Sequence, residues 1–476
     1  MTYDLILRGG HVCDPCSGVD AVADIAFEAG KVAEVAPQIT APTRAEEDVS
    51  GLHVLPGLVD SHVHVSGWVG GAAGHRMLAL AGVTTALEMA GPIDSVMEMA
   101  AKTGAGLSMA CIDYVRPGHT VDTTDPETPE LETALARARR SGAVGLKILG
   151  GHFPLTPEAS ARVIGICARE GAHVAFHAGT LETPQNLRGM REACELAAGH
   201  PLHLPHVNSY ARGFEGPAVL EAHEAAEMLG EYPNIWSESY LAPINGNSAK
   251  CSNGIPESVA TQRNLRAGGY SADLAGLEQA LRDGWGHIHF YEDGVTHLEC
   301  GERAVQAWRE AETDIGMSFY VNPSDTTVNL AILRRKGGRF AVDGLATDGG
   351  GLPRNDLCQR GLALVHLDAL TLSEFVLKTA AEPARMMGLL SRKGHLAPGA
   401  DADVTVVDLE RRAPLLSYGA GKPILRHGEV VGSGTNMIVP PEGVAAAEAL
   451  GLGVIRAEHG SFHPVHHESA PEIRAA

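Results

Sequence analysis

The stretch GLVDSHVHV, residues 57–65, sets two histidines two residues apart inside an apolar run. If the run is a strand, side chains at i and i+2 leave the same face, so His62 and His64 point the same way a few ångströms apart. Packing alone does not ask for two imidazoles side by side. The pair therefore directs attention to the rest of the chain, which must say what kind of sheet this strand belongs to.

On either side of this stretch the texture of the sequence changes. The first fifty or so residues read as short strands joined by turns, YDLILRGGHVCDP, ADIAFEAGKVAEVAP and GLHVLPG, and the same texture returns in GADADVTVVDLE and KPILRHGEVVGSG. Between these flanks, apolar runs alternate with Ala-rich amphipathic segments such as TPELETALARARRSG and TPEASARVIGICAREG. The apolar runs are GLVDSHVHV, GVTTALEMA, GLSMACIDYV, AVGLKILGG, AHVAFHAGT, PLHLPHVNS, NIWSESYLAP, MSFYVNP and FAVDGLATDGGG. Strands alternating with helices over about 330 residues predict parallel βαβ units, and about eight such units predict a (β/α)8 TIM barrel. The expected organisation is a small β-sandwich from 1–56 and 396–440, a barrel over 57–395 with a long insertion around 212–315, and a carboxy-terminal tail over 441–476.

Composition narrows the function classes. The chain of 476 residues is 44% hydrophobic and 20% charged, enough to bury a large core. Its formal charge of −21 disfavours a phosphate backbone or an anionic membrane as partner, since both attract Lys and Arg. No run of eighteen apolar residues occurs, and MTYDLILRGG has neither a basic region nor a long apolar one, so the expected location is cytoplasmic. The eight cysteines are scattered and expected to be reduced; Cys13 and Cys16 in HVCDPCSG are read as part of a turn rather than a redox or zinc pair.

A barrel presents its chemistry at the carboxyl ends of its strands. By that rule His62 and His64, Lys147 in GLKILGG, His177 in AFHAGT, His206 in LPHVNS and Asp348 in LATDGGG are all placed at the working end. Imidazole and carboxylate suit zinc and its divalent neighbours, whereas an ammonium has no lone pair to donate, so Lys147 joins only if modified. Strand alternation favours His206 over His203 in the sixth run. His152, His173, His200 and His287 have no position in this order and are expected at the surface or in packing.

The order HVH, Lys, His, His, Asp over about 1–435 resembles the amidohydrolase superfamily, specifically its binuclear branch with a carboxylated lysine, related to cyclic amidohydrolases and N-acyl-D-amino-acid deacylases. The resemblance implies that His62, His64 and Asp348 hold one divalent ion, His177 and His206 a second, and carboxylated Lys147 bridges them, with zinc the expected metal. It further implies a hydroxide between the ions as nucleophile and Asp348 as the group that moves its proton to the leaving nitrogen. Glu88 at the end of GVTTALE, Tyr240 and Arg212 are read as substrate-side residues.

The implied function is hydrolysis of a C–N bond in a small cyclic amide, imide or ureide. The alternative within enzymes is an N-acyl-amino-acid deacylase or dipeptidase, for which Arg212, Lys250 and Arg354 are the cations to examine. The alternative outside them is an inactive barrel serving as a scaffold. The implied partners are a small-molecule substrate and further copies of the chain, not nucleic acid or membrane. The chain departs from dihydroorotases and dihydropyrimidinases in reading HVHVSGWVGG where they carry an arginine-containing turn. HPVHH in the tail is a weak metal-binding candidate.

Overall fold

The computed structural model describes residues 2–462. Seven parallel strands follow one another around the sheet: β1 (Leu58–His64), β2 (Val83–Glu88), β3 (Ala105–Val115), β4 (Gly145–Ile148), β5 (His173–Phe176), β6 (Leu202–Leu204) and β7 (Ile235–Ser239). The eighth comes in two pieces. Gly344–Leu345 pairs with β7 and Gly349–Gly350 pairs with β1, so the ring closes through a kinked strand, β8. The kink is Asp348, which sits at φ +52°. Asp60 in β1 pins it: its carboxylate accepts from the Thr347 hydroxyl at 2.5 Å, the Thr347 amide at 3.1 Å and the His62 amide at 3.2 Å.

The covering helices form for legible reasons. Thr128–Arg140 starts with Pro129 in its first turn, where the missing N–H costs nothing, and ends on Arg137, Arg139 and Arg140 beside the negative end of the helix dipole. Leu131, Ala134, Leu135 and Ala138 recur every three or four residues and are the buried face. Pro157–Arg169 repeats the plan, with the Thr156 hydroxyl accepting from the Ala159 amide as N-cap.

Both chain ends build the second sheet. His53–Pro56 pairs parallel with Leu5–Asp14 and antiparallel with Val404–Asp408, joining amino-terminal strands to carboxy-terminal ones in a nine-stranded sheet. It curls on itself as a sandwich does: the rings of Phe27 and Tyr418, on strands with three others between them in the sheet order, lie 5.7 Å apart over a shared core with Val12, Ile25 and Val404. Cys13 and Cys16 lie at the turn between its first two strands, where the Asp14 carboxylate accepts the Cys16 and Ser17 amides. All eight cysteines are free thiols.

Asp401 fastens this sheet to the barrel base. It meets Lys31 at 2.5 Å, Arg392 at 2.8 Å and the buried Lys393 at 3.1 Å. Burial pushes its carboxyl up, but the Arg392 hydrogen bond and the Lys393 and Lys31 charges win and hold it at about 2. A folded-state pKa below the unfolded value stabilises above the unfolded value and is lost as pH falls through the folded one. Asp401→Asn should therefore destabilise the protein by about 1–2 kcal/mol at neutral pH, after discounting for the half-exposed Lys31 and Arg392, and the difference from wild type should vanish between pH 4 and 2 in denaturant melts.

Three expectations need correction. The run MSFYVNP is not a barrel strand: Gly316–Phe319 pairs antiparallel with Asn247–Ser248 and with Gly286–Glu292, in a separate four-stranded sheet that includes Val295–Glu299. This sheet has its own core around Trp308, Leu277 and Phe319. The insertion accordingly begins after β7 rather than near 212, because Ala218–Glu231 is the ordinary crossover helix between β6 and β7. Finally, Gly434–Val439 leaves the flank sheet and pairs parallel with β3, and Gly453–Arg456 pairs with it in turn. HPVHH lies outside the described residues. Among the described residues no helix is long and apolar enough to cross a membrane.

Candidate metal centre

The two histidines that end β1 project together, their rings 5.2 Å apart. His206, turned back at φ +40° just past β6, brings its ring to 5.2 Å from His62 and 4.4 Å from His177, which follows β5. Asp348 Oδ1 lies 2.9 Å from His64 Nε2 and 3.3 Å from His62 Nε2. Ligand atoms of His62, His206 and Asp348 all fall within 4.8 Å of one another. Such spacings suit a small divalent ion, since two ligands on one tetrahedral zinc at 2.0–2.1 Å stand roughly 3.3 Å apart.

Three of the four imidazoles are held in the form that ligates; on the fourth, His64, burial acts downward but the Asp348 hydrogen bond and the Asp348 and Glu88 charges win and raise it above its usual value. Burial above all drives the His62, His177 and His206 imidazoles well below their usual range, with the Lys147 charge acting in the same direction on each, so they are neutral and carry a lone pair. Asp348 is also buried, which alone would raise it, yet Arg354, the His64 hydrogen bond and Lys147 hold it below the ordinary carboxylate range. Lys147 in β4 is 3% exposed, and burial lowers its ammonium to about 8 against the pull of Asp348, Glu238 and Glu88. Lys147 Nζ, His177 Nε2 and His206 Nδ1 are buried with no hydrogen-bond partner. Nature rarely leaves so many buried donors and acceptors unmatched in one place, and this donor set fits metal ions.

Two residues stand in the site without having been singled out for these roles from the sequence. Glu238 in β7 is fully buried, and its Oε1 lies 2.6 Å from His62 Nδ1. That contact fixes the His62 tautomer with Nε2 turned toward Asp348. The signal was present: an acid in the NIWSESY run sits near a strand end, where the barrel rule applies. Glu238→Leu should weaken metal binding by about 10–100-fold in a chelator competition, with Glu238→Gln intermediate because its amide oxygen still accepts from Nδ1–H. The other is His152, expected in packing, whose ring lies 4.7 Å from His177 in the turn after β4.

The remaining candidates separate. Glu88 at the end of β2 uses Oε2 to accept the Ala90 and Gly91 amides, while Oε1 lies 3.6 Å from His64 Nδ1. Tyr240 is buried and its hydroxyl accepts from Asn322 at 3.0 Å. Arg354 is committed to Asp348, with Nη2 2.7 Å from Oδ2 and Nε donating to the Asp348 carbonyl, and it stacks 4.9 Å above the Tyr240 ring. Lys250 is half-exposed and pairs with Asp314, away from the cluster. Arg212 donates to Asn322 Oδ1 at 2.8 Å and to Ser209 Oγ at 3.2 Å. His203 hydrogen-bonds His173 at 3.2 Å and packs on Trp236.

No family model matches the chain. It is 25% identical over 492 residues to an allantoinase of Deinococcus radiodurans, covering 93% of this chain and 99% of that one. It is 24% identical over 443 residues to a dihydroorotase of Geobacter metallireducens, covering 85% and 90%. Among solved structures, a D-aminoacylase with a binuclear metal centre superposes with a TM-score of 0.63 at 15% identity, covering 91% of this chain and 99% of that one.

Proposed function

The chain belongs to the amidohydrolase superfamily, and from that premise we propose that it is a metal-dependent hydrolase that opens a C–N bond of a small cyclic amide, imide or ureide. The observation that carries the proposal is the convergence of His62, His64, Lys147, His177, His206 and Asp348, from five barrel strands, on one end of the barrel with unmatched buried donor atoms. In this reading His62, His64 and Asp348 hold one divalent ion, His177 and His206 a second, and a carboxylated Lys147 serves both, zinc being the metal the donor set suits best. When bound, such ions polarise the scissile carbonyl and make water a nucleophile at neutral pH.

The chain's own groups do the rest. Asp348 is ionised, so its Oδ1 can take the proton of the attacking water and return it to the leaving nitrogen. Arg354 holds Oδ2 and the Asp348 backbone carbonyl, which keeps Oδ1 turned toward the histidines through that transfer. Glu238 orients His62 through its Nδ1, and Glu88 places a carboxylate oxygen 3.6 Å from His64 Nδ1. Tyr240 and Arg212 line the substrate side of the proposed site.

The N-acyl-amino-acid deacylase reading is kept as a second one because Arg212 is held by neutral groups alone, which suits it to a substrate carboxylate. A complete donor set argues against the scaffold reading. We assign the protein to the cytoplasm, as a homo-oligomer acting on a small molecule. Purified protein of measured zinc content should hydrolyse at least one member of a panel of cyclic ureides, imides, lactams and N-acyl amino acids. Fully loaded protein inert toward all of them would overturn the proposal.

A further inference from the structure

Two guanidinium groups stand beside the imidazole cluster without an acid to neutralise them. Arg212 follows the turn Val207–Ser209 that continues from His206, and its hydrogen bonds go to Asn322 Oδ1 and Ser209 Oγ. Arg263 comes from the inserted domain, on the helix Val259–Ala267, and its hydrogen bond goes to the Gln185 carbonyl at 3.4 Å. Gln185 packs against Gly151, in the same turn as His152, so Arg263 is tied to the wall that carries His152 and His177. Both arginines are part-buried. Among the described residues neither makes an ion pair, and Glu215, the acid whose charge reaches Arg263, is hydrogen-bonded to Asn186 instead.

The two cations also sense one another and the site. Burial and the neighbouring Arg212 charge lower the Arg263 guanidinium from its ordinary value. Arg212 lies six residues after His206 and hydrogen-bonds Ser209, in the turn that His206 begins. Two like charges, each partly withdrawn from water with only neutral acceptors, are costly unless an anion joins them. A planar guanidinium fork matches a carboxylate in particular. The chain meanwhile has no arginine in HVHVSGWVGG, directly after its metal-binding pair.

We propose that Arg212 and Arg263 together form a carboxylate subsite, so that the substrate of the reaction proposed above is an acid whose carboxylate lies between the barrel and the inserted domain. This rests on that reading for the reaction but not for the binding. Arg212, anchored by Asn322 and Ser209, supplies the fixed half of the clamp. Arg263, brought by the insertion, supplies the half that ties substrate recognition to the inserted domain.

The test uses two probes that contain no amide to cleave: 3-oxocyclopentane-1-carboxylate and the neutral 3-(hydroxymethyl)cyclopentanone, titrated calorimetrically into the zinc-loaded protein. The carboxylate should bind at least about 30-fold more tightly than the alcohol, the lower end of what loss of a desolvated charge partner does. Arg212→Met and Arg263→Met should each remove most of that preference, with a thermal melt within a few degrees of wild type reporting that each variant is still folded. Arg212→Lys should recover part of it, since the charge returns without the fork. Equal binding of the two probes, no detectable binding of the carboxylate, or a preference that survives both methionine variants because the metal itself takes the carboxylate, would each overturn the proposal. Retained preference in a protein that hydrolyses nothing would instead sink the reaction and leave the subsite standing.

Discussion

Lys147→Ala should reduce bound metal well below two ions per chain and abolish turnover, and a short acid such as propionate should restore part of both. The reason is electrostatic. An ammonium at the end of β4, enclosed with His62, His177 and His206, would repel any divalent ion those residues attract. Burial brings its pKa to about 8, so roughly a tenth of it is the neutral amine at pH 7, the form that can attack carbon dioxide. That attack forms an N–C bond, releases a proton and replaces the positive charge by a carbamate with two oxygens. An added acid can fill the space vacated in Lys147→Ala. Lys147→Arg should resist rescue, because its side chain still occupies the space and keeps its charge. Metal content by elemental analysis reads the result, and two ions with normal turnover in unsupplemented Lys147→Ala would remove the bridging role.

Asp348→Asn should lower kcat by about 10²–10⁴-fold with a smaller change in KM, since a positioned proton acceptor is lost while the contour of the site is kept. The side-chain amide can present only one oxygen, and two neighbours compete for it: the Arg354 Nη2 on one side and the histidines on the other. Arg354→Met in the wild-type background should reproduce part of the loss, because Asp348 would then be free to turn. Near-normal turnover by metal-loaded Asp348→Asn would exclude this carboxylate from proton transfer.

What the sequence made readable follows from two periodicities. The period of two put His62 and His64 on one face, and the barrel rule put Lys147, His177, His206 and Asp348 at strand ends; the structure brings these residues to one region. MSFYVNP was misread because a short buried antiparallel strand and a short buried parallel one have the same apolar composition, and only the pairing partner distinguishes them. His152 is expected at the surface or in packing, and the sequence does not place it beside His177, because a three-residue turn has no period to reveal which way its side chain points. Glu238 and Arg354 were legible as types but not as partners. Which imidazole a buried glutamate meets depends on a separation of 176 residues that only the closed barrel converts into a contact, and whether an arginine faces a substrate or the carboxylate six residues before it depends on the turn that follows β8.

The way the flank sheet is stitched together sets a timetable for synthesis. His53–Pro56 needs Val404–Asp408, and the amide of Leu58 at the root of β1 donates to the hydroxyl of Thr405. A ribosome adding about 5–20 residues per second leaves those partners roughly 20–70 s apart. Throughout that interval the strand that carries both leading histidines has an open base, and its neighbour has an unpaired edge of the sort that recruits other chains. The barrel can close on itself once residue 350 has emerged, yet its floor is laid last. Nascent chains halted before residue 408 should therefore be the most sticky form of this protein, and the strand Val404–Asp408 acts as a latch whose arrival ends that exposure.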